Sequence, residues 1–133
     1  MPGAEQRNHA KAFLAKAEEY LASAEDDLLD QRHTAAAGAA IHAGISAKDA
    51  IVTALTGATR KRKDHAAAAK ELRTALGKRA DAPAAEKALR ELTGAKTEVE
   101  YGTTLLNATT AEPLVRRARF LVELAGRIVR LGG

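Results

Sequence analysis

Apolar residues recur every three and four positions along most of this chain, which is the spacing of one helical face. In the first such stretch Leu14, Ala17, Leu21, Ala24 and Leu28 form the stripe, with Phe13 and Tyr20 beside it and Lys16, Glu19 and Asp26 on other faces. The spacing predicts an amphipathic helix over Asn8–Gln31, preceded by a tail at residues 1–7. A second helix is expected over Thr34–Thr56, with Gly57 as its stop. It carries small residues four apart (Ala35, Ala39, Ala43, Ala47), an apolar stripe (Ile41, Ile45, Val52, Leu55) and a polar stripe (His42, Ser46, Asp49, Thr53). Lys48 falls on the apolar stripe, and its charge is expected to snorkel outward.

A basic connector at residues 58–63 follows, and Asp64 is placed to cap a third helix over His65–Leu76 with Gly77 as its stop. His65, Ala69, Leu72 and Leu76 share the inner face of that helix. A fourth helix is expected after Asp81, with Pro83 in its first turn and a bend at Gly94 before Tyr101. A fifth is expected from about Thr110, with Thr109 or Thr110 as cap and Leu114, Ala118, Leu121, Ala125 and Ile128 as its core stripe. Two long helices joined by a short turn must run antiparallel. The expectation is a single all-α domain over residues 1–133, an antiparallel four-helix bundle with a fifth helix.

Composition agrees. Ala, the strongest helix former, supplies 32 of the 133 residues. The absence of Cys removes disulfide, zinc-thiolate and thiol-nucleophile chemistry and suits a reducing, cytoplasmic setting. Aromatics are 3 % of the chain, too few for base-stacking platforms. The longest uncharged stretch is too short to span a bilayer, and no stretch reads as a signal peptide, so no membrane association is expected.

Charge changes the picture more. Net charge is −3 over residues 1–59, +6 over 60–79 and +1 over 80–133. The positive excess is therefore a local patch, suited to a phosphate backbone or an acidic partner. Lys61, Arg62 and Lys63 are its candidate nucleic-acid contacts.

The stretch AAIHAGISAKDAIVTALTG, the basic loop, DHAAAAKELRTAL and LRELTGAKTEVEYGTTLLNATTAEPLVRRARFLVELAGRIV together resemble a HEPN domain (higher eukaryotes and prokaryotes nucleotide-binding) over roughly residues 10–130. The resemblance implies a bundle of four to five helices, commonly a two-fold dimer. It also implies, for many members, a ribonuclease of toxin or defence type. The family signature is an Arg, four to six residues, then a His, duplicated across the dimer cleft. Arg60 and His65 match it, enclosing Lys61 to Asp64. Lys61 departs from the uncharged polar or acidic residue that often follows the Arg in active members.

Metal-free RNA cleavage needs a base for the 2′-hydroxyl, an acid for the leaving oxygen and a cation for charge developing on phosphorus. Imidazole suits both proton tasks near neutrality, and the planar guanidinium suits phosphate. Arg60 and His65 with their symmetry copies would supply this set without metal or cofactor. A helix N-terminus at His65 would attract phosphate and favour the neutral, base-like imidazole. His42, Ser46, Asp49, Asp64 and Tyr101 are supporting candidates; the His42, Ser46 and Asp49 stripe suits a pocket, a pairing with His65 or Tyr101, or a hydrogen-bonded seam between helices. The alternative function is a non-catalytic module that binds a nucleotide, RNA or a partner nucleotidyltransferase. A further possibility is a structural protein using the Ala43 face of the second helix as a dimer seam. Expected partners are a second copy of the chain, RNA, and an antitoxin or nucleotidyltransferase.

Overall fold

A computed structural model describes residues 3–57 and 65–131, with backbone alone at His65 and Ala66. The described residues form six helical segments and no strand: α1 (Ala4–Leu29), α2 (His33–Thr56), α3 (His65–Leu76), α4 (Ala82–Gly94), α5 (Lys96–Tyr101) and α6 (Ala108–Arg130). The all-α bundle expected from periodicity is what the chain forms.

α1 begins four residues before the expected Asn8, so Ala4–Arg7 belong to the helix and not to a tail. Ala, Glu, Gln and Arg are all good helix formers, and Glu5 in the first turn complements the helix dipole. At the other end Gln31 adopts a left-handed φ of 61° and reverses the chain within three residues. Arg32 holds this turn. Its Nε donates to Asp27 Oδ1 at 2.9 Å, and Nη2 lies 3.0 Å from Asp30 Oδ2. Hydrogen bonding to Asp27 is the main reason the guanidinium is held above its ordinary pKa.

α2 is the central element and packs on each of the other five. This is why it is Ala-rich: Ala36, Ala37, Ala40, Ala43, Ala47 and Ala50 have no exposed surface. Ala43 is therefore sealed inside one protomer and cannot be a dimer seam, which corrects that expectation. The four-residue row does not survive as one face, because Ala35 is exposed and Ala39 half-buried while Ala43 and Ala47 are buried. Gly44 lets α4 approach; a Cβ there would lie 2.6 Å from Leu92 Cδ1. Gly57 ends α2 at φ 88°, a left-handed conformation that Gly adopts without a Cβ clash.

The expected bent fourth helix is two segments, α4 and α5, meeting at Ala95. α6 starts two residues before Thr110, because Asn107 is the cap: its Oδ1 accepts from Thr110 N at 3.1 Å. Asn is as strong a cap as any hydroxyl residue. The preceding loop is pinned to the start of α2 by Leu106 N donating to Thr34 Oγ1 at 2.8 Å. The core stripe of α6 is buried as expected at Leu114, Ala118, Leu121, Ala125 and Ile128. Its arginines tie helices together: Arg119 and Arg130 pair with Glu25 and Glu18 of α1 at 2.6 and 2.7 Å, and Arg117 pairs with Glu91 of α4.

Candidate functional site

α3 is the element that carries the sequence signature. His65 is the first described residue of α3. Arg60, Lys61, Arg62, Lys63 and Asp64 lie outside the described residues, as does the His65 side chain. What the structure gives is how α3 is held. Ala69, Leu72 and Leu76 face the core with at most 3 % exposure. On the outer flank Arg73 Nη1 donates to Glu86 Oε1 of α4 at 2.9 Å, and Arg90 shares the same carboxylate at 3.1 Å.

The strongest polar link to α3 was not anticipated. Lys48 does not snorkel: it is 4 % exposed, in the middle of α2. Its Nζ lies 2.7 Å from Glu71 Oε1 of α3 and 3.0 Å from Asp49 Oδ1. An ammonium this deep needs a counter-charge. Two carboxylates supply it, and the ion pair with Glu71 fixes α3 against α2 six residues beyond His65. Lys48 sits among apolar positions of the most apolar helix, while Glu71 adjoins the inner face of α3. A charge at an apolar position on each of two neighbouring helices was the available signal.

The polar stripe of α2 does not converge into one pocket. His42 is about half exposed; its ring stacks on Tyr20 of α1 with centroids 5.2 Å apart, and Nε2 lies 3.7 Å from Glu100 Oε1 of α5. Ser46 is 6 % exposed and belongs to the core wall. Asp49 serves Lys48. Thr53 is 3 % exposed at the far end of the helix. Tyr101 is 77 % exposed, so it forms no buried seam with the α2 stripe. It ends α5, a six-residue helix with no buried residue, so nothing packs over the ring. His42 meets Glu100 in its place. The stripe is a series of separate helix contacts because successive members along α2 face different neighbours: α1 and α5 near His42, α3 near Asp49.

Among the described residues no group of three or more His, Asp or Glu side chains is placed to hold a metal ion. None of the described helices is long and apolar enough to cross a membrane. A family model described as "HEPN domain" matches residues 10–128. No curated protein and no solved structure matches the chain.

Proposed function

The chain belongs to the HEPN family, and on that premise we propose that it is a metal-independent endoribonuclease of toxin or defence type, acting in the cytoplasm as a homodimer. What supports this reading is the family match over residues 10–128, together with the five-residue step from Arg60 to His65 in the segment of charge +6. In the proposed reaction one His65 accepts the proton of the ribose 2′-hydroxyl. The 2′-oxygen attacks phosphorus, and the bond to the 5′-oxygen breaks. The second His65 of the dimer, protonated, gives that oxygen its proton. The products are a 2′,3′-cyclic phosphate and a 5′-hydroxyl, so no water or metal is consumed. Arg60 neutralises charge on the phosphoryl oxygens. Lys61, Arg62 and Lys63 hold the flanking backbone. A cleaving toxin must be silenced in its own cell, so an antitoxin or a modifying nucleotidyltransferase is the expected partner.

The test is cleavage of a mixed RNA pool by the purified chain in excess EDTA. Wild type is expected to cleave, with a rate per chain that rises through the dimerisation range. His65→Ala should lose about 100-fold or more, the range of general acid–base catalysis. Equal rates in wild type and His65→Ala refute the assignment. RNA binding that weakens with salt, with no product in any pool, points instead to the non-catalytic module.

A further inference from the structure

From Ala67 to Gly94, over α3, α4 and the turn between them, every cation is exposed: Lys70, Arg73, Lys78, Arg79, Lys87 and Arg90. Every acid there (Glu71, Asp81, Glu86 and Glu91) is half-buried. Three of these acids are met by cations. Lys48 of α2 pairs with Glu71, and Arg117 of α6 with Glu91, both from neighbouring helices. Glu86 takes Arg73 at 2.9 Å and Arg90 at 3.1 Å, so one carboxylate joins the outer sides of α3 and α4 and leaves one positive charge over. Among the described residues Lys70, Lys78 and Lys87 have no ion-pair partner. The positive sign continues onto α6, since Lys87 and Arg116 line one groove between α4 and α6. Acids turned inward and neutralised there, with cations left uncancelled outside, make a face of one sign.

We infer that this α3–α4 face holds the sugar–phosphate backbone of double-stranded RNA. Charge complementarity calls for a polyanion. A protein partner would need apolar anchors at the centre of the contact. The exposed large hydrophobic residues among those described are Leu29, Tyr101, Leu105 and Leu131, and none lies on α3 or α4. Single-stranded RNA is gripped by stacking its bases on aromatic rings, and no Phe, Tyr or Trp occurs between Ala67 and Gly94. A paired stem hides its bases and offers phosphates and ribose hydroxyls. Lysines and arginines can take these without reading sequence. The inference rests on the proposed action on RNA and adds the class of RNA that is held. Lys70 stands five residues beyond His65 on the same helix, about 7.5 Å along its axis. The face therefore begins on the element that carries the residue assigned to the chemistry.

The full chain is titrated with a 2′-O-methylated RNA duplex of about 16 base pairs, the span of a typical double-strand reader. Fluorescence anisotropy is read over a series of salt concentrations. Without free 2′-hydroxyls the duplex cannot be cut, so binding is measured apart from the reaction. The triple variant Lys70→Gln, Lys78→Gln, Lys87→Gln should lower the slope of log affinity against log salt by about 2 to 3 and weaken binding about 100-fold at roughly 0.1 M salt. The same loss of charge at other exposed positions, Lys11→Gln, Lys16→Gln, Arg127→Gln, should weaken it less than about threefold, because salt screens charges off the contact. The methylated single strand should bind about tenfold more weakly than the duplex. Equal weakening by the two triple variants overturns the inference, as does equal or tighter binding of the single strand. Displacement of the duplex by poly-glutamate at equal charge concentration also overturns it, and would assign the face to an acidic protein. These outcomes judge the surface alone, whereas loss of cleavage in His65→Ala judges the reaction.

Discussion

Replacing Lys48 by Met keeps most of the aliphatic stem in the core of α2 and deletes only the charge. Lys48 Nζ sits 2.7 Å from Glu71 Oε1 and 3.0 Å from Asp49 Oδ1, with the Lys side chain 5 % exposed. Attraction to Glu71 alone is about 6 kcal/mol at an effective dielectric of about 20. Most of that offsets the desolvation of the ammonium, so the net worth of the cluster is far smaller. The asymmetry lies in removing one partner. Without Lys48, two carboxylates face each other across the α2–α3 contact. Breaking a fully buried pair costs about 3–5 kcal/mol. Here Asp49 and Glu71 keep 22 % and 18 % of their side-chain surface in water, so water can recover part of the loss. The expected destabilisation is about 2–3 kcal/mol, or roughly 7–11 °C in Tm for a chain of this length.

Urea unfolding followed by circular dichroism measures it as a lower midpoint at unchanged slope. Adding Glu71→Met to Lys48→Met should return at least half of the loss, since it removes one of the two acids that Lys48 contacts and replaces it with apolar surface. A single Lys48→Met that is neutral or stabilising refutes the reasoning. It would mean that the ammonium was never compensated in the folded protein, and that apolar packing alone docks α3. The same variant bears on function. If α3 carries His65 and Lys48 fixes α3, RNA cleavage should fall further than the unfolded fraction explains, and the shortfall should lie in the rate and not in RNA affinity.

Three other substitutions test other joints of the fold. Gln31→Gly should raise stability by about 0.5–1 kcal/mol in urea unfolding, because it relieves a left-handed backbone at φ 61°. Gly44→Val should lower it by about 2 kcal/mol or more, since its first side-chain atom already meets Leu92 Cδ1 at 2.6 Å and its branches meet a packed α2–α4 contact. Asn107→Ala should cost about 1 kcal/mol and fray the start of α6, seen as faster amide exchange at Thr110, whose N–H loses the Asn107 Oδ1 acceptor at 3.1 Å.

The fold was legible because Ala, Leu and Ile at helical spacing leave few other ways to bury a core. The stripes of α1, α3 and α6 landed on the core: Leu14, Ala17 and Ala24 of α1 are buried with Leu21 and Leu28 half-buried against them, and Ala69, Leu72 and Leu76 of α3 and the stripe of α6 are buried. α2 defeated the same reasoning. With neighbours on nearly every side it has almost no wet face, so its three stripes carried little information about which direction was inward. A helix of small residues packs by close backbone approach, and Ala43 is as well suited to a partner helix of its own chain as to one of a second copy. Only the tertiary arrangement distinguishes the two, and it puts Ala43 inside.

The candidate site was legible to a different depth. A five-residue step from Arg60 to His65 is a one-dimensional signal, and of its two ends the structure describes only His65, as backbone within α3. The polar stripe of α2 was a one-dimensional signal too, and it misled. Shared helical phase guarantees that side chains leave the axis in similar directions, but over 11 residues it spreads them along roughly 16 Å. At that distance one neighbouring element rarely covers them all. His42 reached Tyr20 and Glu100, and Asp49 reached Lys48. Lys48 was misjudged for a related reason. Snorkelling needs solvent within the reach of a four-carbon stem, and a helix surrounded by five others offers none there. The charge had to be met from within, and the residue that meets it belongs to the helix that bears His65. A buried cation thus makes the placement of α3 dependent on an ion pair, where a purely apolar contact could slide by a turn at little cost. For chemistry that depends on a side chain at the tip of α3, such a fixed register is the property that the ion pair provides and hydrophobic burial alone does not.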